Sequence, residues 1–216
     1  MRSEPCQQEM VMELRGPRVL IRPWESHDDE LADEWPPYND PFDPLWNLPR
    51  PSSFGGGMWN AWLDHGVYRR SWAVENGSGT LIGRISLREI DERRGQARLG
   101  VTFAAPYVGR GLGTEALTLF LDYYFGTLRY HLMVLDVAAP NVRAVRCYTR
   151  LGFQYVSSDW RNAGALFDRR ILDQPAYAPL RRHFRDDTRG LKVEFFEMRL
   201  YREEWVRRRA LIGLHG

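Results

Sequence analysis

The sequence predicts an α/β fold of the mixed α+β kind, with a mostly antiparallel central sheet flanked by helices. Three observations carry that expectation. Short apolar segments separated by hairpin-type turns fill residues 71–103, a glycine-rich loop opens an amphipathic helix at Gly111, and a second strand-to-helix unit runs from Leu132 to Gly152. At 216 residues and 44% hydrophobic, the chain is long enough for one domain with a sizeable core, and we read residues 1–216 as a single domain.

Taken in order, residues 1–16 read as a loose tail and 19–22 as a strand. Ser26 is expected to cap a helix whose first turn holds Asp28, Asp29 and Glu30, favourable at the positive helix end. Residues 36–57 carry six prolines, at 36, 37, 41, 44, 49 and 51, too many for a helix or a central strand. This loop is either part of a pocket wall or a surface excursion that packs Trp46 and Phe54 onto the domain. A short helix is expected near 58–65. Strands at 71–75, 81–88 and 97–103 follow, joined by turns at 76–79 and 91–95. Leu117, Phe120, Leu121 and Tyr124 then share one helix face that Gly126 closes. After a strand at 132–137, Asn141 reads as the N-cap of a helix reaching Arg150 and stopping at Gly152. A strand at 153–157, a long connection over 159–189 and a last strand at 193–201 complete the chain.

Composition excludes several classes. No apolar run approaches the ~20 residues of a membrane span, and the first residues lack a signal-peptide core, so a cytoplasmic protein without a membrane partner is expected. With only Cys6 and Cys147, neither a disulfide framework nor a metal cluster is indicated. A net charge of +2 does not argue for nucleic acid, and the basic clusters at 181–185 and 207–209 read as solvated faces.

The chemistry-bearing stretch is 101–116, VTFAAPYVGRGLGTEA. Glycines between a strand and a helix let the backbone approach a ligand while the first-turn amides present the positive end of the helix dipole, which suits an anion. A Walker loop would need Lys and then Ser or Thr after the last glycine, but Thr114 and Glu115 follow Gly113. A dinucleotide-binding pattern is met by Gly111, Gly113 and Ala116, with Asp136 as a ribose-binding carboxylate. Against it, Pro106 to Val108 separate strand from glycines, and the preceding segments read as hairpins.

The third reading joins this loop to 136–153, DVAAPNVRAVRCYTRLGF. The two motifs, in this order, resemble the GNAT superfamily of acetyl-CoA-dependent N-acyltransferases over roughly residues 19–153 plus the last strand. Within it, RVLIRPW at 18–24 and the closing EMRLYREEW look most like the branch of ribosomal-protein N-terminal acetyltransferases. The resemblance implies strands that splay at a cofactor cleft, a loop of Val108, Gly109, Arg110, Gly111, Gly113 and Thr114 around the coenzyme A pyrophosphate, and Asn141 on the cofactor arm. It also implies that strand amides near Thr102 and Phe103 bind the pantetheine chain and polarise the acetyl carbonyl. The family's Gln or Arg three residues before the first obligatory glycine is replaced by Val108, with Arg110 as a nearby cation.

Roles follow from the chemistry of attack on a thioester. The amine must be neutral, so a base or a water chain takes its proton, while the leaving thiolate benefits from an acid. Tyr148, where the family places a tyrosine near the sulfur, is the candidate acid; alternatively it packs between helix and sheet. Asp136, at a strand end, is the candidate base acting through water, or else a structural acceptor. His131, at a strand start, reads better as a partner of local backbone. The expected activity is acetyl transfer from acetyl-CoA to a small-molecule or peptide amine without a metal. A nicotinamide-dependent oxidoreductase and a non-catalytic CoA sensor are the alternatives. The 159–189 connection reads as a substrate-tuning insertion, a homodimer contact or a partly disordered segment.

Overall fold

The computed structural model describes residues 12–48 and 69–213. The expected helix at 58–65, residues 49–57 of the proline-rich loop with Phe54, and the start of the N-terminal tail with Cys6 lie outside the described residues. Among the described residues nine strands form one sheet: β1 (Leu14–Arg15), β2 (Val19–Pro23), β3 (Arg70–Asn76), β4 (Leu81–Asp91), β5 (Gln96–Phe103), β6 (Leu132–Ala138), β7 (Gln154–Asn162), β8 (Phe184–Asp187) and β9 (Gly190–Tyr201). Their order is β1-β2-β3-β4-β5-β6-β9-β7, with β8 also paired to β9. Among the described residues four α-helices accompany it: α1 (Ser26–Asp33), α2 (Leu112–Asp122), α3 (Val142–Leu151) and α4 (Arg202–Gly213).

The β2–β5 meander is antiparallel, and its turns are built by the residues the sequence put there. Asn76 accepts from the N–H groups of Ser78 and Thr80, each at 3.0 Å, and Asp91 accepts from the Arg94 N–H at 3.0 Å. Among the described residues, β5 and β6 are the one parallel pair of neighbours, connected by α2. That topology lacks the paired βαβ halves of a dinucleotide-binding sheet. The core lies between the sheet and α2, where Leu117, Phe120 and Leu121 meet Val74, Ile85, Leu99 and Leu135.

Four local features differ from the expectations above, the first being that residues 14–15, inside the expected loose tail, form β1 and pair with β2. Glu25, not Ser26, is the N-cap of α1, because Asp28 turns back to accept from the Glu25 N–H at 2.8 Å. Asp28 is then fully buried, gripped by both terminal nitrogens of Arg22 at 2.7 Å. Gly126 does not stop α2; the helix widens into a π turn over Tyr123–Thr127, whose extra residue per turn lets Tyr123, Tyr124 and Phe125 all bury. The strand expected at 153–157 extends to Asn162, drawn out by β9, with which it pairs as far as Asn162 opposite Lys192.

The 159–189 connection also acquires structure of its own. After β7 it forms 3₁₀ segments over Arg169–Asp173 and Pro175–His183 and then the short strand β8. Its Phe167, Tyr177 and Phe184 close on Phe42 and Leu45 of the proline-rich loop and on Phe195 of β9. Two surface excursions thus bury each other in a second apolar cluster beside the sheet.

Candidate functional site

The site is made by a fork in the sheet. The β5–β6 ladder runs only from Gln96 opposite Leu132 to Leu99 opposite Leu135. Beyond it each strand keeps its outer partner: β5 follows β4 to Phe103, and β6 follows β9 to Ala138. The edge of β5 past Leu99 therefore faces a cleft of about 490 Å³ instead of a neighbouring strand. Gly100, Val101, Thr102 and Phe103 line one side, and Asp136, Val137 and Ala138 the other. Tyr38 crosses one end of the fork, its hydroxyl donating to the Phe103 carbonyl.

The glycine loop caps the cleft at the N-terminus of α2. After the 3₁₀ turn Ala105–Tyr107, Gly109 and Gly111 adopt φ of +77° and +82°, a left-handed backbone that disfavours any side chain. Gly111 is the N-cap of α2, so the first-turn amides lack intrahelical acceptors and point outward. Arg18 braces the loop from outside: its Nε meets Glu115 at 2.8 Å and its Nη1 donates to the Arg110 carbonyl at 3.2 Å. Glu115, an acid in the first turn of α2, is thereby committed to Arg18. Val108 packs against the core and also lines the cleft, while Arg110 stands exposed beside Tyr107. An exposed loop of outward amides beneath an open strand edge fits a phosphate-bearing thioester such as acetyl-CoA.

Helix α3 forms the next wall. Asn141 caps it as expected, its side-chain oxygen accepting from the Ala144 N–H at 3.1 Å, and Gly152 ends it at φ +101°. Thr114 Oγ1 and Cys147 Sγ lie 3.3 Å apart and tie α3 to the start of α2. Tyr148, one residue on, also lines the cleft, with its ring edge-on to Phe153 at 5.8 Å. Burial, with a smaller contribution from Cys147, pushes its phenol above the ordinary tyrosine range, so the hydroxyl keeps its proton at neutral pH.

Asp136 reaches the cleft inside an arginine cluster. Its Oδ1 meets Arg98 at 2.7 Å, and its Oδ2 lies 3.4 Å from Arg161 and 3.9 Å from Arg88. Burial works against the Arg98 charge, but Asp136, Glu89 and Glu197 outweigh it and raise its affinity for the proton further. The structure thus brings Tyr148, Asp136, Asn141, Thr102, Phe103, Val108, Gly109, Gly111, Gly113 and Thr114 to one cavity. His131 is not there; it precedes the opposite end of β6, where its N–H bonds the Gly95 carbonyl at 2.7 Å. Sequence reasoning missed Tyr38, Trp46, Arg88, Arg143 and Arg161, all of which line the cleft. Arg143 sits over Tyr38 and Trp46, at 5.7 and 5.2 Å from the ring centres. Among the described residues no group of three His, Cys, Asp or Glu side chains is placed to hold a metal ion, and no helix is long and apolar enough to cross a membrane.

Comparison with known proteins agrees with this geometry. Residues 18–154 match the acetyltransferase (GNAT) domain model. Spermidine N(1)-acetyltransferase of Vibrio cholerae is 33% identical over 89 residues, covering 41% of this chain and 51% of the relative. The enzyme of that name from Escherichia coli K12 is 30% identical over 108 residues, 46% of this chain and 58% of the relative. YdaF of Bacillus subtilis, named as a ribosomal N-acetyltransferase, is 29% identical over 93 residues, 40% of this chain and 51% of its own. The chain thus spans about half the length of the curated relatives it matches. Among solved structures, spermidine N-acetyltransferase of Vibrio cholerae in complex with CoA and spermine superposes with a TM-score of 0.62 at 18% identity, covering 88% of this chain and 99% of that one. With the fork, the glycine loop and the capped helix in that arrangement, the chain belongs to the GNAT acetyltransferase family.

Proposed function

We propose that this chain transfers an acetyl group from acetyl-CoA to a primary amine by direct attack. The observation that carries the reading is the fork itself, with an open strand edge running from the glycine turn to the half-buried phenol of Tyr148. Gly109, Gly111, Gly113, Thr114 and the backbone of Val108 and Arg110 hold the phosphates, and Asn141 the cofactor arm. Thr102 and Phe103 on the β5 edge receive the pantetheine and polarise the acetyl carbonyl. Bound acetyl-CoA supplies the activated acyl carbon. The amine nitrogen bonds to that carbon as the carbon–sulfur bond breaks, and the products are an amide and the free thiol of CoA.

Two protons must move. Asp136 takes the amine's proton through a water lying against the cleft wall. Tyr148 gives its proton to the departing sulfur, and its partial burial holds that proton on the phenol until the thiolate forms. The relatives' names carry two acceptor classes to this chain, a polyamine and a ribosomal amine, beside other small-molecule amines.

The test is thermal stabilisation by acetyl-CoA, CoA and NAD(H) in parallel. A ligand at 100 times its dissociation constant adds about 2.7 kcal/mol, which for a chain of this size is a rise of roughly 5–11 °C. Stabilisation by the CoA ligands alone supports the proposal. Stabilisation by NAD(H) alone refutes it, and CoA binding without turnover of any amine leaves a CoA sensor.

A further inference from the structure

We infer that Arg150 grips the phosphate on the ribose 3′ position of coenzyme A, so that this chain selects the complete free coenzyme over its dephospho form and over acetyl groups carried on protein-bound phosphopantetheine; the inference rests on the acetyl-transfer reading above. Beyond the pyrophosphate that joins pantetheine to adenosine, coenzyme A bears a further phosphate alone on the ribose. The glycine turn meets the pyrophosphate, and α3 supplies a cation for the other. Arg143, Cys147 and Arg150 follow one another at spacings of four and three residues, which sets them on one side of α3, and all of them line the cleft. The middle of that row is fixed, because Cys147 Sγ lies 3.3 Å from Thr114 Oγ1 in the first turn of α2. Arg143 lies to one side of it, over Tyr38 and Trp46. Arg150 lies to the other, about 4.5 Å further along the helix axis. An arginine stem spans what separates two phosphates of one nucleotide from there.

The Arg150 guanidinium is uncommitted. Among the described residues it makes neither an ion pair nor a hydrogen bond. Asp136, the single carboxylate among the described residues that line the cleft, is held by Arg98, and Glu115 is held by Arg18. Nor does the end of α3 need it. The Arg150 carbonyl accepts from Arg208, and the N–H groups of Gly152 and Phe153 return to Thr149 and Tyr148, so the last turn is closed without that guanidinium. Arg146 precedes Arg150 by four residues, also without an ion pair among the described residues, and like charges at that spacing repel until an anion lies against them.

A phosphate monoester carries about −1.5 to −2 charges at neutral pH and presents the oxygens that a planar guanidinium grips in two-point, charge-assisted hydrogen bonds. The pyrophosphate lacks such a terminal group. Phosphopantetheine attached to a carrier protein keeps the thioester and one phosphate but has neither adenosine nor its ribose phosphate, so it loses this contact and keeps those along the β5 edge. The contact therefore sets which donor binds and leaves the reacting atoms untouched.

The experiment measures dissociation constants of CoA and 3′-dephospho-CoA by calorimetry, and it requires no acceptor amine. The proteins are wild type, Arg150→Gln, Arg150→Lys and Arg207→Gln, the last removing an equal charge from an exposed residue of α4 outside the cleft lining. Wild type should bind CoA at least about tenfold more tightly than dephospho-CoA. Arg150→Gln should weaken CoA by a similar factor and leave dephospho-CoA within about twofold, and Arg150→Lys, which keeps the charge and loses the fork, should recover part of the preference. Arg207→Gln should move neither ligand by more than about twofold. Wild-type affinities within about threefold of each other overturn the inference. So does an equal loss of both ligands in Arg150→Gln, which places Arg150 on the pyrophosphate, or a matching loss in Arg207→Gln, which reduces the effect to net charge. Each of those results leaves the acetyl-transfer reading standing, because CoA still binds. Binding of neither ligand to wild type overturns that reading and the inference with it.

Discussion

Replacing Tyr148 with Phe removes one oxygen from the cleft and little else. The ring keeps its edge-on contact with Phe153 at 5.8 Å, and the hydroxyl has no hydrogen-bond partner among the described residues, so no protein acceptor or donor is stranded. Stability should change by no more than about 0.5 kcal/mol, and the rise in melting temperature with acetyl-CoA should persist. Catalysis should not persist. A positioned general acid contributes roughly 10²- to 10⁴-fold, equivalent to about 2.7–5.4 kcal/mol of transition-state stabilisation. Because burial raises the Tyr148 phenol above its ordinary range, the wild-type kcat should show no loss from its ionisation as pH approaches 10. Steady-state turnover of wild type and Tyr148→Phe from pH 6 to 10, with melting curves of both, measures all of this. A variant within about threefold of wild type in kcat across that range refutes the acid role, as does a loss residing wholly in KM for acetyl-CoA. Tyr148 would then be a packing residue between α3 and β7.

Three other perturbations test the frame and the base. Burial favours the neutral form of Asp28, but hydrogen bonds from Arg22 and the Glu25 N–H outweigh it and hold the carboxyl below the usual range. A depressed folded value gives stability that is complete above about pH 4 and lost as pH falls through the folded value; Asp28→Asn should therefore cost about 3 kcal/mol at pH 7, with the gap to wild type narrowing at pH 3 in denaturant titrations. A Cβ on Gly100 would lie 2.6 Å from Ser86 Oγ, so Gly100→Ala should destabilise by about 1–3 kcal/mol, and adding Ser86→Ala should recover most of it in a double-mutant cycle. Asp136→Asn should lower kcat/KM for amine acetylation at least about 100-fold at neutral pH; a variant within about threefold of wild type removes Asp136 as the base.

What was legible in the sequence was whatever a few adjacent residues decide. The turns around Asn76 and Asp91, the glycine loop at 109–113 and the Asn141 cap follow from local backbone rules, and each stands where the residues indicated. Long-range partners were not legible. Asp28 read only as one of three acids favourable at a helix start, because nothing local shows that Arg22, on the preceding strand, curls back to take it. Arg88, Arg98 and Arg161 sit on three strands, and only register places them on one face; Arg161 even fell outside the strand expected at 153–157. β8 and the second apolar cluster were invisible because Phe42, Phe167, Tyr177 and Phe184 carry no period, and they cohere only once two excursions meet.

The fork explains why charge and glycine concentrate where they do. Parting two strands at Leu99 and Leu135 leaves an inner edge whose backbone groups lose ladder partners, each worth about 0.5–1.5 kcal/mol when hydrogen-bonded. The outer ladders to β4 and β9 continue past that point, so the sheet remains intact on both sides of the opening. Tyr38 satisfies the Phe103 carbonyl at the far end. At the near end, where β5 and β6 separate, Arg98 of one strand meets Asp136 of the other at 2.7 Å and pins the angle. On the proposed mechanism Asp136 therefore has two roles, at the apex of the opening and in proton removal. Losing it should disturb the strand edge proposed to receive the pantetheine as well as the proposed proton removal. A smaller acetyl-CoA stabilisation in Asp136→Asn would locate its contribution in the geometry of the fork, and an undiminished one would locate it in the chemistry.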